Sequence, residues 1–92
     1  MYVRFYIDAA TDEAHIFNHD VAESEVLEIL NTSTDRGPAN DGALQAIGQT
    51  RLGRYLKVVY VPEQDGVLVL TAYDLRGREL KAFRRRQRRR HR

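Results

Sequence analysis

His15 and His19 are the residues whose type and spacing first suggest chemistry. A free imidazole titrates near about pH 6.5, so two of them offer a proton acceptor and a proton donor side by side. The same i, i+4 spacing can set two metal ligands on one helix face, with Asp8, Asp12 and Asp20 as nearby carboxylates. The chain has no His-Glu-x-x-His pattern and no second histidine pair, so no metal site and no cofactor are expected. Arg51 and Arg54 flank a tight turn, where forked guanidinium donors suit a phosphate. Tyr60 and Tyr73 fall on neighbouring expected strands, where a ring can stack on a base or a hydroxyl can donate a hydrogen bond. Each of these residues also has a plainer reading. His15 can bond a loop carbonyl, the tyrosines can pack within the sheet, and Arg54 can pair with a carboxylate across the hairpin. His91 falls in the tail, where it is expected to be solvated.

The arginine run has the simplest physics. Residues 1–75 carry five Lys and Arg against twelve Asp and Glu, whereas residues 76–92 carry ten against one. Arg84, Arg85, Arg86, Arg88, Arg89 and Arg90 make the C-terminal end a cationic rod on an acidic body. Such a rod neutralises phosphates and binds RNA or DNA in a salt-sensitive way. It equally suits an acidic protein surface, including that of a second copy in a homodimer. It lacks the apolar face that a helix lying on a membrane needs.

The elements that must position these groups are readable in outline. The 92 residues, 42% of them hydrophobic and 30% charged, suit one small domain over residues 1–83 with a basic helical extension over 84–92. With no cysteine there is no disulfide, thiolate ligand or thiol nucleophile. No apolar run is long enough to span a membrane. There is no Gly-x-Ser-x-Gly and no phosphate-cradling glycine loop, which argues against a serine hydrolase and a nucleotide-hydrolysing engine. Alternation over 2–8 predicts a strand with Val3, Phe5 and Ile7 inward. Residues 9–20 suggest a short helical turn, and 22–31 an amphipathic helix built on Val26, Leu27 and Leu30 with Ile29 beside them. The stretch 35–42 reads as a loop. Three strands follow, over 43–49, 54–61 and 67–73, at hairpin spacing. A helix over about 77–90 closes the chain, docking through Leu80 and Phe83 with nothing apolar continuing that stripe. The expectation is an α+β domain: an antiparallel sheet of about four strands, two short helices after the first strand, and a C-terminal basic helix.

Four stretches carry a resemblance. They are His15-Ile16-Phe17-Asn18-His19-Asp20-Val21, then Ile47-Gly48-Gln49-Thr50-Arg51-Leu52-Gly53-Arg54 running into Tyr55-Leu56-Lys57-Val58-Val59-Tyr60, then Thr71-Ala72-Tyr73, and Leu80-Lys81-Ala82-Phe83-Arg84-Arg85-Arg86. In order and content they resemble the BrnT-type toxin family, which has a RelE-like fold, and a related group of small proteins with a His-containing domain of unknown function. The resemblance implies a metal-independent endoribonuclease acting on RNA, held inactive by a cognate antitoxin in the bacterial cytoplasm. His15 and His19 would transfer protons, Arg51 and Arg54 would hold phosphate, and Tyr60 and Tyr73 would stack or donate. Two positions depart from the family pattern. Asn18-His19-Asp20-Val21 stands where a cation, then His-Gly-Val, is usual, and Tyr73 stands where a basic residue is usual. Both departures bear on catalysis more than on fold.

Overall fold

Along the strand Tyr55–Glu63, Leu56, Val58 and Tyr60 are buried while Tyr55, Lys57 and Val59 between them are half-buried. That alternation gives the sheet two faces, both of them covered in part. The computed structural model describes residues 2–90, so His91 lies outside the described residues. In chain order the strands are β1 (Tyr2–Phe5), β2 (Ile7–Asp8), β3 (Glu13–Ala14), β4 (Asp35–Pro38), β5 (Leu44–Gln49), β6 (Tyr55–Glu63) and β7 (Gly66–Asp74). The helices are α1 (Glu23–Thr32) and α2 (Gly77–Arg90), with 3-10 turns at His15–His19 and Asn40–Gly42.

The main sheet runs β1-β7-β6-β5-β4. β4, β5, β6 and β7 pair antiparallel, but β1 pairs parallel to β7, from Tyr2 opposite Gly66 to Phe5 opposite Val69. The sheet is therefore mixed and five-stranded, not the four-stranded antiparallel sheet expected. β2 and β3 form a separate small hairpin. On one face α1 lays Val26, Ile29 and Leu30 against Ala46, Leu56, Val58 and Val69, and Ile16 and Val21 close the same core. Gly48 lets α1 come this close, since a Cβ there would sit 3.2 Å from Ile29 Cδ1. On the other face α2 sets Leu80 and Phe83 against Ile47, Tyr55 and Leu75.

Several expectations are corrected. Ile7 is 51% exposed, because the strand breaks at Tyr6 and the chain turns into the β2–β3 hairpin. Residues 9–20 hold that turn and then a 3-10 helix, so only their second half is helical. In α1 the inward residues are Val26, Ile29 and Leu30, whereas Leu27 is 39% exposed. The stretch 35–42 contains an edge strand, where Pro38, lacking an N–H, ends the pairing and leaves no interior ladder bond unmade. Beyond Phe83, α2 stays on the body through polar contacts. Arg86 Nε donates to Asp35 Oδ2 at 2.7 Å, and Arg90 Nη1 donates to Thr34 Oγ1 at 2.5 Å. Among the described residues no helix is long and apolar enough to cross a membrane.

Candidate functional site: a row of rings beside a cationic helix

Where β1 ends, the 3-10 helix His15–His19 takes its place along β7. The result is a row of four aromatic rings. Tyr6 meets His15 at 6.4 Å between centroids, His15 meets His19 at 5.5 Å, and His19 meets Tyr73 of β7 at 5.9 Å. Both predicted histidines and Tyr73 are thus brought together. Asp8 orients the first histidine, with His15 Nδ1 lying 3.2 Å from Asp8 Oδ2. Asn18 Nδ2 lies 3.3 Å from the same ring nitrogen, which is thus held between the Asp8 carboxylate and the Asn18 amide. Asn18 Nδ2 also donates to Asp8 Oδ2 at 2.9 Å. The Ala10 N–H, then His15 and Asn18, hold the Asp8 carboxyl below its usual range, so it is ionised at neutral pH. Among the described residues no His, Asp and Glu group is arranged to hold a metal ion.

Lys57 ends the row, with Nζ 5.9 Å from the Tyr73 ring centroid and 2.8 Å from Glu79 Oε2 of α2. Burial works against its charge, but the Glu79 carboxylate and Tyr73 outweigh it and the ammonium pKa lies above its ordinary value. A cleft of about 590 Å³ opens beside His19 and Tyr73, lined also by Asp20, Arg54, Asp74, Arg76 and Glu79.

Arg54 lines that cleft but is fully engaged. Its Nε donates to Asp74 Oδ1 at 2.8 Å and its Nη1 to Glu25 Oε1 at 2.9 Å. The carbonyl oxygens of Asp20 and His19 accept from Nη1 and Nη2 at 2.7 and 3.2 Å. The Asp74 hydrogen bonds lift the guanidinium pKa further and hold the Asp74 carboxyl down. Arg54 therefore fixes the C-terminal end of the 3-10 helix to β7 and α1; its donors, expected on a phosphate, here meet protein acceptors. Tyr60 is also corrected as a stacking residue. It is 6% exposed, within the core, and its hydroxyl accepts from Arg36 Nη1 at 3.3 Å. Arg51 is exposed on the turn between β5 and β6, outside the cleft lining, and its backbone N–H donates to Glu28 Oε2 at 2.6 Å.

The basic helix divides cleanly. At about 100° per residue, Arg78, Lys81, Arg84, Arg85, Arg88 and Arg89 occupy one arc of about 140° over about 16 Å of helix, and all six are exposed. None takes part in an ion pair among the described residues. Arg86, predicted among the binding residues, lies instead on the docked side against Asp35.

Sequence reasoning missed Tyr6, Lys57, Asn18 and the orienting role of Asp8, because ring-to-ring and cross-strand contacts leave no local spacing signal. It also missed Arg36, which donates to the Leu30 carbonyl and, at 3.3 Å, to the Ser33 carbonyl, serving acceptors left open at the end of α1. The chain matches no protein-family model, no curated protein and no solved structure, so its likeness to BrnT-type toxins rests on the motif residues alone.

Proposed function

We propose that this chain binds RNA and cleaves it without a metal ion, as the toxin of a type II toxin–antitoxin pair. The observation that carries the reading is the convergence of Asp8-oriented His15, His19 and Tyr73 beside a cleft at the foot of a helix with a wholly cationic open face. His15 Nε2 takes the 2′-OH proton. The 2′-oxygen attacks phosphorus, a cyclic phosphate forms, and the bond to the 5′-oxygen breaks. Protonated His19 gives its proton to that leaving oxygen. The Tyr73 hydroxyl, with the Lys57 ammonium at its ring, stabilises the charge that gathers on the phosphoryl oxygens. Arg76 and the open face of α2 hold the flanking phosphates. The cognate antitoxin is an acidic protein competing for the same cationic face.

The test is incubation of purified protein with an unpaired RNA in excess EDTA, with products analysed for 2′,3′-cyclic phosphate ends. His19→Ala should lower the rate by at least about 100-fold while the fold is retained, and induced expression of the native chain should arrest bacterial growth. RNA left intact with and without divalent cations overturns the reading.

A second reading, a non-catalytic nucleic-acid-binding module, is favoured by one observation: the cleft's best-placed guanidinium, Arg54, is already saturated by protein acceptors. Pairing Arg84→Glu with Arg88→Glu separates the two. A binder loses its function with its affinity, whereas a nuclease keeps turnover at saturating RNA.

A further inference from the structure

The row of rings continues past the proposed proton-transfer groups to Tyr6, for which cleavage has no use. Tyr6 is 49% exposed, its backbone is pinned by its N–H donating to the Val69 carbonyl at 2.8 Å, and its carbonyl accepts from the His15 N–H at 2.9 Å. It is thus a rigidly based, solvent-facing ring set edge to face against His15.

We infer that the Tyr6 ring, next to the proton-transfer groups, stacks on one base of an unpaired RNA strand; the inference rests on the RNA reading above and narrows it to single strands. Three features carry it. Tyr6 meets His15 edge to face, at an interplanar angle of 64°, and stays half exposed, so its ring is open to a base. A base laid on that ring must leave the stack of its neighbours, which a paired helix resists and a single strand permits. Charge changes along the path as well. Lys57, Arg76 and α2 lie at the Tyr73 end, while Asp8 lies against His15 at the Tyr6 end and Arg4, two residues before Tyr6, is paired with Glu63. Phosphate is favoured at the first end and disfavoured at the second, so what Tyr6 contacts is the uncharged face of a base. Finally, α2 is held on the sheet by Leu80, Phe83, Arg86 and Arg90. Its cations face outward over one arc, so they track a single backbone and do not enter a groove with two phosphate walls.

The experiment measures fluorescence anisotropy of a labelled 2′-O-methyl oligoadenylate, which cannot be cleaved through its 2′ position, alone and as a duplex with 2′-O-methyl oligouridylate. Native protein should prefer the single strand. Tyr6→Ala should weaken single-strand binding by about 5- to 30-fold, leave duplex binding within about twofold, and leave the salt slope unchanged because no phosphate contact is lost. Tyr6→Phe should restore affinity. The chain contains no tryptophan, so Tyr6→Trp supplies a sole indole, whose emission should be quenched by the single strand and not by the duplex. Unchanged single-strand affinity in Tyr6→Ala, or an unquenched indole, overturns stacking on Tyr6 while leaving RNA binding by α2 standing. Failure of the native protein to bind either RNA overturns the RNA reading itself.

Discussion

Arg54→Met removes a guanidinium while keeping most of the side chain's bulk, and the structure sets its cost. Five hydrogen bonds go at once: two to Asp74, one to Glu25, and one each to the His19 and Asp20 carbonyls. The side chains of Arg54, Glu25 and Asp74 are 26%, 27% and 33% exposed, so water recovers part of the loss. Single charge-assisted bonds contribute about 1.5–3 kcal/mol and do not add, so with solvent screening the whole fork is worth about 2–3 kcal/mol. For a domain of this size that is a fall of about 10–20 °C in Tm. Pairing the change with Asp74→Asn in a double-mutant cycle should return a coupling of about 1–2 kcal/mol. The pH dependence has a definite sign. The native Asp74 pKa is lowered by Arg54. Its contribution is therefore complete above the unfolded carboxyl value of about 3.9 and is lost as pH falls through the lower native value. The Arg54 pKa is raised, which costs nothing until strongly alkaline pH. The gap in Tm between the native chain and Arg54→Met should thus hold from pH 5 to 8, as about the pH span over which neither partner titrates, and shrink in acid. A Tm within about 2 °C of native, with RNA affinity lost, would show that Arg54 holds phosphate and would refute its structural role.

The remaining expectations are brief. Gly66→Ala places a Cβ 1.7 Å from the Tyr2 carbonyl oxygen, so it should detach β1 from β7 and cost about 2–3 kcal/mol by chemical denaturation. Thr71 has a buried hydroxyl without a hydrogen-bond partner; Thr71→Val should raise stability by about 1 kcal/mol, read as a higher urea midpoint with an unchanged slope. With six open-face cations on α2 and about 0.7 counterion released per phosphate of a single strand, the logarithm of the RNA association constant should fall against that of salt with slope about −4. A slope near zero would mean the arc does not meet the backbone.

The hairpin from β6 to β7 was legible because its signals are local: two apolar strands and an Asp65-Gly66 turn. β1 beside β7 was not, because parallel pairing of residues 2–5 with 66–69 joins segments far apart in sequence and leaves no turn to read. The stretch Ile47-Gly48-Gln49-Thr50 with Gly53-Arg54 shows another limit. It carried the most specific part of the family resemblance, yet its residues do architectural work here. Ile47 meets Phe83, Gly48 admits Ile29, Thr50 Oγ1 accepts from the Arg54 N–H at 3.0 Å, and Gly53 turns the chain at φ +98°. Residue type alone could not tell a guanidinium aimed at solvent from one aimed at its own body. The histidines differ, since their i, i+4 spacing survives the change from α-helical to 3-10 geometry well enough to keep both rings on one row.

The charge imbalance between the two ends of the chain acquires a spatial meaning from the way α2 sits. Leu80 and Phe83 alone would hold only its first two turns, and a run of like charges beyond them repels itself as a helix. The body counters this at two points, placing Asp35 under Arg86 and Thr34 under Arg90. These anchors lie about 130° and about 170° round the helix from the centre of the open arc, so they hold the rod without neutralising the face that meets solvent. The acidic composition of the body thus contributes to binding indirectly: a few of its polar groups immobilise the cations that are not used for docking. Asp35→Asn, which removes one anchor charge and no cation, should therefore weaken RNA binding although it lowers the repulsion of phosphate. Simple net-charge arithmetic requires the opposite sign, and measured affinity at fixed salt decides between the two.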